Sequence, residues 1–398
     1  MESKPLLGLR GHSGPITSVS RLCTALTISR AELCQALRLE EDVRFQRIPE
    51  KRKPDGTVRE IYNPHPLIRK IQRRLVTRLL KRSAVFRWPD HLYGSIPNVS
   101  LPSGEVQSKD YVACARCHCS AKSLLKLDIK NFFGNVHHDT VYKVFRDLLG
   151  YGERVAKVLT CICTHKGSLP QGGLTSSYLA MLCLHDLEGY VVERLRLKSL
   201  VYTRYVDDIT ISSKVVNYDF GYASKIVENM LLERGLPINL QKTRIERIST
   251  SPLMVHGLRV AFDQPRLPAD EVGRIRASVR YAELLYAEAS FRFTSSYRKT
   301  FNRCLGRVNK LKRVGHSQHK ALLGRLLQVR PLASQRDLVC AHIAASRLEK
   351  EYAMHKDTFG YHRRFYVLQE RLNLIQRTYP RIAGRLRLRL KSIRPEFN

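Results

Sequence analysis

The stretch "VYTRYVDDITIS" (201–212) places Asp207 and Asp208 side by side between two runs of β-forming residues. Residues rich in Val, Tyr, Thr and Ile pair as strands, and a short polar break between two such runs reads as a hairpin turn. Aspartate is a common turn former. Two adjacent carboxylates repel one another, however, and a hairpin tip brings them still closer to whatever strand lies beside it. That arrangement is easiest to reconcile with a cation between them. A second strand with the same need lies upstream: "LLKLDI" (124–129) is an apolar run in which Asp128 sits where a side chain emerges from a sheet edge. Strand and hairpin as neighbours in one sheet would bring three carboxylates together. Oxygen-only ligation of that kind suits Mg²⁺. Two such ions about 3.5–4 Å apart clamp the attacking and leaving oxygens of an in-line phosphoryl transfer.

Charge narrows the partner. Lys and Arg number 69 against 35 Asp and Glu, a formal net charge of +34 over 398 residues. Self-repulsion on that scale destabilises a compact state unless a polyanion neutralises it, and nucleic acid is the first candidate. A membrane surface is the second, but the chain shows neither an apolar signal core at its start nor an uninterrupted apolar run of spanning length. The longest, "YLAMLCL" (178–184), is cut by His185 and Asp186. Ten scattered cysteines are too few for a disulfide scaffold of this length, so the expectation is a reducing, cytoplasmic setting with no membrane contact.

Local patterns order the chain. Ser29 is an N-cap before "RAELCQALRL", within a helical segment over 1–44. "FQRIPEKRKPDGTVREIYNP" (45–64) reads as a hairpin around Pro-Asp-Gly, and "LIRKIQRRLVTRLLKRS" (67–83) as a basic amphipathic helix with Leu67, Ile71, Leu75 and Leu79 on one face. Residues 90–122 read as irregular. Helices are expected from His138 to Leu149, from near Leu174, and over 222–235, the last ended by Gly235. Beyond 265 the chain becomes helical and dense in cations. Residues 291–330 hold eleven Lys and Arg and no acid, and 361–398 carry ten basic residues against Glu370 and Glu396. The alternating Arg and Leu of 385–390 fit either a strand or a basic helix end.

At this point several segments, in order, resemble the motifs of reverse transcriptases. Tyr205-Val206-Asp207-Asp208 resembles the Y-x-D-D box, "LDIKNFF" (127–133) the first carboxylate motif, and "LPQGGLTSS" (169–177) the P-Q-G box. Spacings are 43 residues from Asp128 to Gln171 and 36 from there to Asp207. "GLPINLQKTRI" (235–245) is similar to the motif carrying an active-site lysine, here Lys242, "VHGLRV" (255–260) to the primer grip, and residues 47–64 to the fingers hairpin. The resemblance covers roughly residues 45–265.

It implies an α+β right-hand polymerase: fingers and palm with an antiparallel sheet over 45–265, a helical thumb over 266–345 and a basic extension over 346–398. Asp128, Asp207 and Asp208 would hold two Mg²⁺ ions, with Lys242 as a proton donor to the departing pyrophosphate. Lys51, Lys53 and Arg59 would neutralise the incoming deoxynucleoside triphosphate. Gln171 and Gly172 would line its pocket, the glycine permitting close backbone approach, and Phe133 would exclude a ribose 2′-hydroxyl. Gly257 of the grip and Arg298, Lys299, Arg303, Arg307, Lys310, Lys312 and Arg313 of the thumb would contact nucleic acid, interleaved with Tyr297 and Phe301.

Among reverse transcriptases the pattern looks most like the retron type, with other defence-associated or abortive-infection enzymes as the alternative. Partners implied are a structured noncoding RNA that serves as template and primer, its DNA copy, and an effector or toxin protein. The retron N-A-x-x-H segment appears here as "CARCH" (114–118), with Cys114 where Asn is expected, and V-T-G appears as Val255-His256-Gly257. Template-independent synthesis and a non-catalytic RNA-binding scaffold are the competing readings. The scaffold is disfavoured by the cost of retaining three buried, unpaired carboxylates. Cys114, Cys117, His118 and Cys119 invite a zinc reading, but their spacing is cramped and single packed cysteines are the simpler one.

Overall fold

The structure, a computed structural model, describes residues 13–49, 51–52, 58–100 and 103–396; at 51, 52, 58 and 59 it describes the backbone alone. The chain divides after Arg266 into two compact units. The first is built on a five-stranded sheet: β1 (Leu92–Tyr93), β2 (Ser123–Asp128), β3 (Val201–Tyr205), β4 (Asp208–Ser213) and β5 (Arg244–Arg247), in the spatial order β5-β2-β4-β3-β1. All pairings are antiparallel except β1 with β3.

The two faces of this sheet have different chemistry, because side chains alternate along a strand. One face presents Leu125, Leu127, Tyr202, Ile209 and Ile211, all buried in a core shared with Phe145, Leu159, Ile162, Leu182, Val227 and Leu231. Those partners come from the helices Glu153–Cys163, Ser176–Leu182 and Gly221–Glu233 and their flanks. The opposite face is polar and carries Asp128 and Lys126 from β2, Asp208, Thr210 and Ser212 from β4, and Thr203 and Tyr205 from β3. Burying a leucine-sized side chain contributes roughly 1.5–3 kcal/mol, so the apolar face holds the sheet together. On the other face Thr203, Thr210 and Ser212 are buried too, and only the end at Tyr205 and Asp208 opens outward.

One buried charge breaks the apolar pattern. Arg204 points into the core face and is fully buried. Its Nε and one terminal nitrogen donate to the two oxygens of Glu188 at 2.6 and 2.7 Å, and it also donates to the carbonyls of Met181 at 2.8 Å and Val206 at 3.2 Å. Tyr202 donates to the same carboxylate at 2.8 Å. Burial would raise the Glu188 carboxyl, but the charge and hydrogen bonds of Arg204 overrule it and hold the group well below the usual carboxylate range.

The N-terminal helices behave as their sequence suggests. Ser29 caps Arg30–Arg38 in a capping box with Glu32, and Leu22, Leu26, Leu33 and Ala36 join the core. The basic helix begins at Pro66 and turns into a wider π-turn over Val76–Leu80, burying Ile68, Ile71, Leu75 and Leu79 while Leu67 stays half-exposed. Residues 90–122, read as irregular, instead contain β1 and a helix, Tyr111–Cys117. Asp110 caps that helix by accepting from Val112 and Ala113 at 3.0 Å, a signal the surrounding Gly, Pro and Ser obscured.

The second unit is helical. Ala269–Ala287, Ser295–Arg313 and His319–Gln328 enclose Ile275, Val279, Tyr297, Phe301, Val308 and Leu326, and Gln335–His355, Phe359–Thr378 and Pro380–Lys391 enclose Ala341, Leu348, Phe365, Leu372 and Leu386. The Arg-Leu alternation of 385–390 is helical: Leu386 and Leu390, four apart, are buried, and Leu388 between them is exposed. Among the described residues no helix is long and apolar enough to cross a membrane.

Replacing Arg204 by Leu strands Glu188 in the core and is expected to destabilise the protein by about 3–5 kcal/mol, measured by denaturant unfolding. Arg204→Lys, which keeps the charge but loses the two-pronged geometry, is expected to lose less.

Candidate active site

The pairing register sets the site. Asp208 opens β4 directly opposite Asp128, the last residue of β2. Tyr205 pairs with Asp208 on the other side, so Val206 and Asp207 form a two-residue turn. The Asp207 carbonyl accepts from Ile129 N–H at 3.0 Å, which fastens the turn to the end of β2. Asp128, Asp207 and Asp208 therefore lie at one end of the sheet, brought together from two strands and the turn that follows a third.

The turn is strained. Val206 has φ +60°, a region β-branched residues rarely enter and which the first position of such a turn usually gives to glycine. Strain of this kind costs roughly 1–3 kcal/mol. Two contacts hold it: Arg204 donates to the Val206 carbonyl, and Gly94 leaves room for the valine, since a Cβ on Gly94 would come within 2.9 Å of Val206 Cγ2. Arg204 and Glu188 were not singled out from the sequence; an Arg inside an alternating apolar strand was the available signal.

A loop from the helix Gly221–Glu233 to β5 supplies the counter-charge. Asn239 N–H donates to the Asp128 carbonyl at 2.7 Å, its side-chain amide donates to Asp128 Oδ2 at 3.0 Å, and Lys242 Nζ lies 2.9 Å from Asp128 Oδ1. Lys242 is otherwise largely exposed, and its ammonium is raised above the ordinary lysine value by the hydrogen bond to Asp128. Asn239 was missed as a site residue, although it lies inside the segment that carries Lys242. The expectation of three buried, unpaired carboxylates is corrected: only Asp128 is buried, and it is paired. Asp208 is exposed at the apex, yet partial desolvation and the charges of Asp207 and Asp128 push its carboxyl up to about 6. Among the described residues no three His, Cys, Asp or Glu side chains form a ready-made metal cage. The donor set still fits a hard cation: carboxylate oxygens of which one resists ionisation because it is partly desolvated and its neighbours are negative. Mg²⁺ in particular draws much of its shell from water and substrate phosphate.

The remaining residues named from the sequence fall as follows. Phe133 is half-buried on a short helix, Phe132–Asn135, and packs against the core beside Phe132, ring centroids 5.9 Å apart. Gln171 accepts from Tyr62 N–H through its carbonyl at 2.7 Å. Gly172 has φ +114°, and a Cβ there would sit 2.1 Å from the Tyr62 carbonyl. The close approach that needs glycine is thus made by the strand Tyr62–Pro64 of the protein itself. In the hairpin above it, Lys51 and Arg59 are backbone partners; their side chains, together with Lys53 and the Pro-Asp-Gly turn, lie outside the described residues. Gly257 (φ +79°) follows His256 (φ +48°) in a two-residue turn between Met254–Val255 and Leu258–Arg259. On Ser295–Arg313, Lys299, Arg303, Arg307, Lys312 and Arg313 are exposed. Arg298 donates to Asp337 at 2.8 Å, and Lys310 pairs with Glu271 at 2.9 Å. Tyr297 and Phe301, expected among the surface cations, are instead buried, because they fall on the apolar stripe of their helix. The cysteine cluster disperses: Cys114 faces Thr203 and His256, and Cys117 faces the Tyr93 hydroxyl.

Comparison with known proteins covers both units. A family described as reverse transcriptase (RNA-dependent DNA polymerase) matches residues 51–281. The retron Ec48 reverse transcriptase of Escherichia coli is 44% identical over 358 residues, 89% of this chain and 86% of that protein. The retron Se72 reverse transcriptase of Salmonella heidelberg (strain 579083-10) is 28% identical over 329 residues, 81% of this chain and 82% of that one. Among solved structures, a telomerase from Candida albicans bound to a fragment of telomeric RNA aligns with 88% of this chain and 67% of its own at 11% identity and a TM-score of 0.39, a likeness that carries no argument.

The raised Asp208 carboxyl has a pH signature. Its folded value of about 6 lies above the ordinary 3.8, so the folded state binds the proton more tightly, and stability falls as pH rises from about 4 to about 6 and then levels. In thermal melts of metal-free protein the wild type is expected to lose stability relative to Asp208→Asn as pH rises across that range, the difference between the two isolating this group from carboxylates with the opposite slope.

Proposed function

Because this chain belongs to the retron-type bacterial reverse transcriptases and is an RNA-directed DNA polymerase, we propose that Asp128, Asp207 and Asp208 are its catalytic carboxylates and that it copies a structured noncoding RNA into DNA. The observation that carries the reading is the rung that sets Asp208 opposite Asp128 with Asp207 in the adjoining turn. When bound there, Mg²⁺ would lower the pKa of a primer 3′-hydroxyl and neutralise charge on the triphosphate.

The protein's own groups do the rest. Lys242, held 2.9 Å from Asp128, is placed to return a proton to the departing pyrophosphate. Arg59, with Lys51 or Lys53, draws the triphosphate under the fingers hairpin. Gln171 and Gly172 form the floor on which the base sits, and Phe133 crowds the sugar edge where a 2′-hydroxyl would project. The turn at His256-Gly257 supports the primer end. Exposed cations of Ser295–Arg313 follow the phosphates of the template–primer duplex, and their number predicts strongly salt-dependent binding. Arg298 and Lys310 contribute less, since each already serves an acidic partner. The RNA is one made for this enzyme, priming starts from an RNA hydroxyl, and the biological setting is antiphage defence with an effector protein as further partner.

Purification from the native host followed by sequencing of the bound nucleic acid tests the whole reading: RNA covalently joined to a DNA copy is expected, and homopolymer DNA with no RNA counterpart would overturn it. An Asp207→Ala, Asp208→Ala protein is expected to retain RNA and make no DNA, whereas continued synthesis would displace the site. Phe133→Ala is expected to raise ribonucleotide incorporation by about tenfold or more relative to deoxynucleotides, on the scale of one steric contact of roughly 1–3 kcal/mol in a pocket.

A further inference from the structure

A line of hydrogen bonds crosses the polar face of the sheet beside the aspartates. Ser212 of β4 meets His118 Nδ1 at 2.7 Å, His118 Nε2 meets Thr203 of β3 at 2.7 Å, and Thr203 meets Cys114 Sγ at 3.3 Å. Cys114 Sγ in turn lies 3.3 Å from His256 Nε2, and the His256 ring packs on Tyr205 with centroids 4.5 Å apart. Donation can run in a single sense through the whole line, and the sense reverses when His118 and His256 both exchange tautomers. One end, at Ser212, lies within β4, and the other joins two parts of the site. There Tyr205 immediately precedes the strained turn that carries Asp207, and His256, packed on it, occupies a positive-φ position in the turn that supports the primer.

The contact between Cys114 and His256 joins residues 142 apart in the chain. Both are positions where this sequence departs from the retron pattern, Cys for Asn in one motif and His for Thr in the other. The departures change reach in opposite directions across the contact. A short side chain on the helix Tyr111–Cys117 faces a long one on the turn, where the expected pair would set a longer side chain against a shorter one. In a packed interior such an exchange is tolerated when the summed volume is kept and penalised when only one member changes.

We propose that Cys114 and His256 are a coupled pair of positioning residues that sets the height of the His256-Gly257 turn against Tyr205, and so the seat of the primer terminus above the aspartates. The pair itself stands on the geometry; its effect on the primer rests on the polymerase reading. Neither residue needs to touch the reacting atoms, and both act through Tyr205 and the turn.

The test exchanges the pair. Cys114→Asn, His256→Thr and the double variant are compared with wild type in steady-state extension of a recessed primer–template, and in thermal melts without nucleic acid. Each single change is expected to raise the KM for primer–template by about tenfold, the scale of one lost buried contact, with the nucleotide KM unchanged. The double variant is expected to return to within about twofold of wild type in KM and to recover melting temperature. Cys114→Ser, which keeps the hydrogen bond, is expected to behave as wild type and serves where Cys114→Asn does not fold. Additive single effects would overturn the coupling. Coupling in the melts with an unchanged primer KM would overturn the positioning role. Wild-type protein that extends no primer would overturn the polymerase reading instead, while the melts would still report on the pair.

Discussion

Two carboxylates face each other across one rung of an antiparallel ladder, Asp128 against Asp208, with a third in the adjoining turn. Like charges opposed in this way are destabilising. The surroundings of the sheet end are arranged around that cost. Lys242 and Asn239 neutralise and hydrogen-bond Asp128, and Asp208 accepts a proton more readily than an ordinary aspartate. Two residues back on the same face, Lys126 is engaged by Glu246 at 2.7 Å. The repulsion is therefore contained rather than removed.

Containment requires rigidity, and this comes from the other side of the sheet. The turn that projects Asp207 holds a valine at positive φ and would relax if nothing restrained it. Arg204 restrains it from below by gripping the Val206 carbonyl while its charge is balanced by Glu188. A buried ion pair of this type is weak evidence for stability in general, since apolar residues of similar volume often serve as well. Here it offers what apolar residues cannot: a directed hydrogen bond to a carbonyl in a two-residue turn. The sheet thus has an apolar face that stabilises and a polar face that ends in the three aspartates, and Arg204 transmits order from the first to the second.

The helical unit shows the same separation of roles on single helices. On Ser295–Arg313 the stripe Tyr297, Phe301, Cys304, Val308 and Leu311 is buried, and exposed cations occupy the opposite side. A high density of Lys and Arg does not prevent folding when it is confined to the solvent side. The same confinement leaves Lys299, Arg303, Arg307, Lys312 and Arg313 exposed along the helix. Where an acid is within reach, as Asp337 is for Arg298 or Glu349 for Arg389, the cation serves the helix packing instead.

Strand-end Asp128 and turn Asp207-Asp208 were legible in the chain because each rests on local chemistry, alternation of β-formers and an acidic turn, whereas Gln171 stood out only through the resemblance of its segment to the P-Q-G box. The Ser29 cap and the amphipathic basic helices were legible on local grounds too. Period and capping are properties of neighbours in sequence, and a reader of the sequence has the neighbours. Tertiary structure alone decided which residues meet across distance. That Asn239 and Lys242 close on Asp128, that Glu188 balances Arg204, and that Tyr62 rather than a ligand requires Gly172 all depend on register between strands and loops far apart in the chain. Helix Tyr111–Cys117 was hidden because the Gly, Pro and Ser around it masked the Asp110 cap, and the partner it meets, Thr203 on the sheet, is far away in the chain. Sequence therefore determined which chemistry this protein carries, and the pairing of β2 with β4 determined where that chemistry is brought to a point.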